Sequence, residues 1–278
     1  MTKVRTLAAL IMTPLAIAAI LLLPTPWLVA LTAVVFLAGL WEWFRLAEID
    51  DTLSRTVLLL VNLLLMVALV WASRSSSGGS LVLFQLATVV GVIWWLLAAM
   101  WLKHYAFASD HDTHARMFKL AAGTLAVVPA WCALALIHAA QPNGHRWLLV
   151  ALVIVWVADS GAYFVGRRFG KHKLSPRISP NKTVEGLLGG LVAGIAVGVL
   201  GGMFAGADTG QLPLVAAVAL LTVGASVIGD LYESLLKRHV GVKDSGNVIP
   251  GHGGILDRID GVLAALPVFA LGKAWLGF

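Results

Sequence analysis

Four residues of the segment "SVIGDLYESLLKR", Asp230, Glu233, Ser234 and Lys237, fall at i, i+3, i+4 and i+7. In a helix that spacing makes one polar stripe along an otherwise apolar surface. Asp257 and Asp260 follow at i, i+3, at the start of the last apolar run. Acidic residues favour helix N-termini through the macrodipole, an effect of about 0.3–1 kcal/mol. That explains one aspartate there, but not Asp230, which has no basic residue one turn away. Three carboxylates converging at one mouth offer oxygen-only ligands, the chemistry of a hard divalent cation such as magnesium. Lys237, Arg238, Lys243 and Arg258 surround them with cations suited to polyphosphate oxygens. The glycines of "PGHGG" let backbone N–H groups approach an anion closely. Together these parts describe metal-assisted phosphoryl or nucleotidyl transfer. An ion pathway would account for the acids, but not for the basic, glycine-rich segment beside them.

These residues need elements to hold them, and the composition says what solvent those elements meet. The 278-residue chain is 59% hydrophobic and only 12% charged, with a mean hydropathy of +0.89. Apolar runs of span length with no dyad alternation predict an all-α, polytopic membrane protein rather than a barrel. Nine spans are expected, near 6–23, 27–44, 56–72, 81–102, 119–140, 147–165, 183–204, 212–236 and 260–277. They form a single membrane-embedded domain over 1–278, with N-terminal helices in 1–140 and the active-site helices in 147–277. The basic start and apolar run of the N-terminus resemble a signal peptide, but further spans follow at once, so a retained helix is expected. With the N-terminus in the cytoplasm, the 20 Lys and Arg residues all fall on the cytoplasmic side except Arg74, Arg146 and the intramembrane Lys273. This is a strong positive-inside bias, and it accounts for the net charge of +6 without a nucleic-acid partner.

Several features have plainer readings. The tryptophans of "WEWF" and "WWLLAAMWL" lie near span ends, where interfacial anchoring is expected. Glu42 sits at a span end three residues before Arg45, a possible partner on the same face. Cys132 lies in an apolar run and reads as a packing residue. "SRSSSGGS" reads as an external turn, and "KHYAFASDHDTHAR" as an interfacial connector whose His104, His111 and His114 are solvated rather than metal-bound. In the seventh span Gly186, Gly190, Gly194, Gly198 and Gly202 repeat every four residues, a smooth stripe for close helix packing within the subunit or across a dimer. The connection before it, "KHKLSPRISPNKTVEG", carries unpaired cations and two Ser-Pro turns. Asn181 or Thr183 there is placed to cap the seventh span, putting Lys182 where a phosphate can dock. Asp159 lies about two turns from the end of the sixth span.

The segment from Ser234 to Asp260, "SLLKRHVGVKDSGNVIPGHGGILDRID", resembles the signature of the phosphatidate cytidylyltransferase (CDP-diacylglycerol synthase) family. "DSGAYFVGRRFGKHKLSPRISPNKTVEGLLGG", Asp159 to Gly190, is similar to a second block of that family. The resemblance implies a reaction of CTP with phosphatidic acid, giving CDP-diacylglycerol and pyrophosphate, with Mg2+ and, as an option, a second cation. It implies a homodimer among membrane lipids, in a plasma or inner membrane, with the active site facing the cytoplasm. Asp230 and Asp257 correspond to metal-binding aspartates, and Asp260 joins them. Ser234, Lys237, Arg238, Lys243 and His252 correspond to phosphate- or nucleotide-site residues. Asp159, Lys171, Ser179, Lys182, Asp244, Gly253, Gly254 and Arg258 complete the expected substrate contacts. Two other readings are a CTP-dependent lipid kinase, acting on a polyprenol or phytol, and a cation-coupled transporter. The kinase would attack the γ-phosphorus and need a base. The transporter would place its charges near mid-bilayer and show inverted repeats.

Overall fold

The computed structural model describes residues 2–73, 81–246, 248 and 253–278, and the side chains from residue 12 onward. Among these, nine α-helices follow one another: α1 (Thr2–Leu22), α2 (Thr25–Leu46), α3 (Thr52–Ala72), α4 (Val82–Trp101), α5 (Thr113–Ala139), α6 (Gly144–Phe169), α7 (Val184–Ala205), α8 (Leu212–His239) and α9 (Leu256–Leu276). An antiparallel hairpin, β1 (Lys173–Ser175) with β2 (Ser179–Thr183), interrupts the all-α pattern between α6 and α7. The first Ser-Pro straddles the end of β1 and the second lies within β2, in the stretch expected only to turn.

The chain is a membrane protein. Eight helices, α2 to α9, are long and apolar enough to cross a bilayer, each satisfying its own backbone hydrogen bonds. In α1 the apolar stretch within the described side chains is Met12–Leu22, shorter than a span. Arg74, most of the "SRSSSGGS" turn and the side chains of Lys3 and Arg5 lie outside the described residues.

Polar caps start three helices. Asp51 accepts from the Ser54 amide at 2.8 Å, Asp112 from that of Ala115 at 2.7 Å, and Thr183 from that of Gly186 at 3.1 Å. Thr183 rather than Asn181 therefore caps α7. The Asp112 cap also draws Thr113–Arg116 into α5, where a connector was expected.

Small residues fix the helices that carry the site. The glycine stripe of α7 is wedged between α6 and α8 of the same chain. A methyl group on Gly190 would lie 2.8 Å from the Ala158 carbonyl oxygen, and one on Gly202 would lie 2.9 Å from a Val215 methyl. Close approach is thus used within the subunit. On the other flank of α8, a methyl group on Gly229 would run into the Asp260 carbonyl of α9. That contact holds Asp230 beside Asp260.

The tryptophans correct an expectation. Trp43, Trp94, Trp95 and Trp101 are buried rather than interfacial, and their rings surround Tyr232 of α8 at centroid distances of 5.8, 6.0, 5.8 and 5.0 Å. The indole N–H groups of Trp43 and Trp95 donate to the Lys119 and Leu263 carbonyls at 2.8 and 3.0 Å. Spans that bury charge on one another need interior groups with a polar tip, and indole provides one. Near the other end of the bundle Lys273 behaves as a snorkelling cation, bonded to the Phe278 carbonyl with its ammonium 5.2 Å from the Trp147 ring.

Candidate active site

The polar ends of α2, α6, α8 and α9 and the hairpin before α7 meet at one end of the bundle. Two groups of charged side chains form there, and α8 contributes to both.

The first group is closed. Lys237 donates to Glu233 Oε2 at 2.6 Å and to Asp257 Oδ1 at 2.7 Å. Asp257 Oδ2 accepts the backbone N–H groups of Ser245, at 3.0 Å, and Gly254, at 2.8 Å. Glu42 reaches the same place from α2. Its Oε2 accepts from the Ser245 hydroxyl at 3.1 Å and from the Leu256 amide at 2.8 Å. Glu42 is 1% exposed and Arg45 is exposed, so the carboxylate serves the loop, and the expected pairing with Arg45 is replaced. One oxygen each of Glu42 and Glu233 is buried without a partner among the described residues. Breaking a buried ion pair from one side costs about 3–5 kcal/mol, so these charges hold one another in place.

The second group is open. Lys182 of β2 reaches across to α8 and pairs with Asp230 Oδ2 at 2.5 Å, supplying the basic partner that Asp230 lacks on its own helix. Ser234 sits at 3.4 Å from Asp230 Oδ1. Asp159 on α6 and Asp260 on α9 lie close enough to interact electrostatically with Asp230 and with each other. Three carboxylates thus share the neighbourhood of one ammonium group.

The remaining expected residues spread outward. Arg238 donates to the Ile178 carbonyl of the hairpin at 3.2 Å. Ser179 is in register with Ser175 in the hairpin. Lys171 is exposed, and its amide donates to Glu185 Oε2 at 3.0 Å. Lys243, Asp244 and Arg258 are exposed. Gly253 takes φ +85°, a left-handed conformation in which a side chain would be strained, and Gly254 is buried against Glu42. His252 lies outside the described residues. Beside the hairpin, a cleft of about 570 Å³ lies between residues 102–107 and 174–178 and is lined by Lys103, His104 and Arg177. The His239 ring is bonded to the Tyr105 carbonyl at 2.8 Å, which ties one wall of that cleft to the last turn of α8, as Arg238 ties the other.

Among the described residues, no three His, Cys, Asp or Glu side chains form a closed metal-ligand set. The donor chemistry nevertheless fits a hard cation. The carboxylates of Asp159, Asp230 and Asp260 outnumber Lys182 and are all-oxygen donors. Asp257 stands one turn from Asp260, with both oxygens engaged.

Two residues of this charged cluster were not assigned to the site from the sequence. Glu42 carried a signal, because an ionisable residue within an apolar span costs roughly 2.5–3.5 kcal/mol and asks for a reason. Arg45 offered one too readily. Glu233 was visible in the stripe, but its pairing with Lys237 was not assigned to the site.

A helical membrane protein with carboxylates, ammonium groups and a glycine-bounded loop at one end is of the class that handles charged phosphates at a membrane surface. The comparisons narrow that class. The profile of the cytidylyltransferase family matches residues 3–274. The phosphatidate cytidylyltransferase of Pseudomonas aeruginosa is 41% identical over 97% of this chain and 96% of its own length. That of Haemophilus influenzae is 34% identical over 97% and 98%. That of Bacillus subtilis is 50% identical over 45% of this chain and 46% of its own. The chain belongs to the cytidylyltransferase family, and it is a nucleotidyltransferase enzyme.

Proposed function

We propose that this protein transfers the cytidylyl group of CTP to phosphatidic acid, forming CDP-diacylglycerol and releasing pyrophosphate for phospholipid synthesis. The observation that carries this reading is near full-length similarity to two phosphatidate cytidylyltransferases in a chain whose charged groups gather at one end of its spans. The acyl tails of the substrate stay in lipid while its headgroup meets a water-soluble nucleotide. Residues 1–278 act as one domain in which the helices of 1–140 brace those of 147–277.

The phosphate monoester of phosphatidate is already a nucleophile at neutral pH, so no activated serine or cysteine is required. One of its oxygens forms a bond to the α-phosphorus of CTP as the bond from that phosphorus to the bridging oxygen breaks, and pyrophosphate departs with the electron pair. Lys182, Lys237 and Arg238, with Lys171, Lys243 and Arg258 further out, neutralise the charge of the transferring and leaving phosphates. Ser234, Ser179, Asp244 and the backbone N–H groups of Gly253 and Gly254 orient the nucleotide. His252 would serve as a phosphate- or nucleotide-site residue. Mg2+, with a second cation as an option, would be held by Asp230, Asp257 and Asp260, with Asp159 beside them, and would polarise phosphate oxygens. Lys182 and Lys237 supply the positive charge facing those carboxylates in this structure.

The Lys and Arg asymmetry supports a cytoplasmic N-terminus and a cytoplasmic active site, and the bacterial relatives support the inner membrane as location. A homodimer is part of the proposal. The lipid-kinase and transporter readings have no observation in their favour.

The test uses purified protein in mixed micelles with phosphatidate and CTP labelled at either the α- or the γ-phosphorus. The α-label should appear in CDP-diacylglycerol and the γ-label in pyrophosphate. EDTA should stop turnover and magnesium restore it. γ-Label in the lipid would contradict the proposal.

A further inference from the structure

We infer that Glu42, in the N-terminal half of the chain and far outside the signature, is a positioning residue for cytidylyl transfer that sets the base of the signature loop. The inference rests on the proposed reaction.

The loop leaves α8 after His239 and rejoins the bundle at Leu256. Its two described ends come together through Ser245 and Gly254, and carboxylates on two helices hold that junction. Asp257, on α9, accepts the Ser245 and Gly254 amides. Glu42, on α2, accepts the Ser245 hydroxyl and the Leu256 amide with a single oxygen. The remaining space at the junction is glycine. A methyl group on Gly246 would run into the Glu42 carboxylate, and one on Gly254 would meet both Glu42 and the Ser245 hydroxyl. Glu42 thus touches the departing and the returning limb of the loop, and each limb places a glycine against its carboxylate.

The position of Glu42 is itself held. α2 lies directly against the start of α9, where a methyl group on Gly39 would stand 2.8 Å from the Ile259 side chain. Trp43, the next residue, is fixed by its bond to the Lys119 carbonyl and its stack on Tyr232. From the loop the contacts run on through Asp257 to Lys237 and Glu233. A shift of Glu42 would move Asp257 and Lys237, and hence the groups that meet phosphate. A carboxylate accepts such bonds about twice as strongly as a neutral acceptor, which suits a loop that must keep one shape when polyanions arrive. Small displacements of this kind fall on turnover more than on binding.

The test is a series of full-length variants assayed with CTP, phosphatidate and magnesium. Glu42→Gln keeps an acceptor oxygen at the junction and should lose about 3- to 10-fold in kcat, whereas Glu42→Ala should lose roughly 100-fold with little change in the KM for CTP. Gly246→Ala should also lower kcat. Combining it with Glu42→Asp, which draws the carboxylate back by one methylene, should restore part of that loss. A second readout needs no turnover: amide exchange at Ser245 and Leu256 should be faster in Glu42→Ala than in Glu42→Gln. Full kcat in Glu42→Ala, a double variant no better than Gly246→Ala alone, or equal exchange in the two Glu42 variants would each overturn the inference. Wild-type protein that makes no CDP-diacylglycerol would instead overturn the proposed reaction, and the catalytic part of this inference with it.

Discussion

The closed and open charge groups at the end of the bundle use the same residue types and share α8, yet they are built in opposite ways. In the closed group the bonds are dense and shared, with one oxygen each of Glu42 and Glu233 left over among the described residues. Lys237 is shared by Glu233 and Asp257, and loop amides occupy the other oxygen of Asp257. In the open group Lys182 forms its ion pair with Asp230, while Asp159 and Asp260 stand near and form no salt bridge among the described residues. Buried charge that is fully bonded resists change, because removing one partner strands the other. Charge that is half-solvated and in excess is free to exchange partners. The closed group therefore fixes Asp257 and Lys237 in position as a frame, and the open group is where charge exchanges partners most freely.

This division can be broken or sharpened by substitution. The largest stability effect is expected from Lys237→Met, which leaves Glu233 and Asp257 buried without a counter-charge. It should cost about 3–5 kcal/mol of stability, read as a lowered unfolding midpoint in detergent. An unchanged midpoint would dissolve the distinction between the two groups. Asp260→Asn comes next, with turnover falling by roughly 100-fold or more in a protein that still folds. Lys182→Ala should be milder, raising the KM for CTP or phosphatidate by about 10-fold and leaving stability within about 1 kcal/mol, as for a partly exposed pair.

The smallest effect lies at Glu48, in the connection between α2 and α3. It has φ +61° and bonds to His111 at 2.5 Å and to the buried Lys119 at 3.2 Å. Burial works to raise its pKa, but the bonds from His111 and Lys119 prevail and hold it below the ordinary 4.5. A depressed pKa means the stabilisation is complete above that ordinary value and is lost as the pH falls through the lower, folded-state value. The midpoint advantage of wild type over Glu48→Gln should therefore shrink as the pH falls below about 4.5. A difference that grows with acid would refute the assignment.

Much of this was legible in the residues themselves. Spans announce themselves by apolar length, and the largest shift of a helix end is at α5, which starts at Thr113 behind the Asp112 cap. The stripe from Asp230 to Lys237 and the signature loop were visible as spacing. What could not be seen were the partners. Lys182 meets Asp230, and Glu42 meets Leu256, through close packing of elements distant in sequence, and no periodicity encodes that. The tryptophans show the same limit. An indole at a span end looks alike whether it faces headgroups or a buried tyrosine, and only the neighbouring helices decide. The hairpin before α7 was hidden because Ser-Pro turns signal a bend without saying what pairs across it.

The most direct test of the division between frame and exchange site is Asp230→Asn, with turnover and unfolding midpoint measured on the same purified sample. The account predicts a loss of roughly 100-fold or more in CDP-diacylglycerol formation with a midpoint close to wild type. A collapsed midpoint, or near-normal turnover by the folded protein, would contradict it.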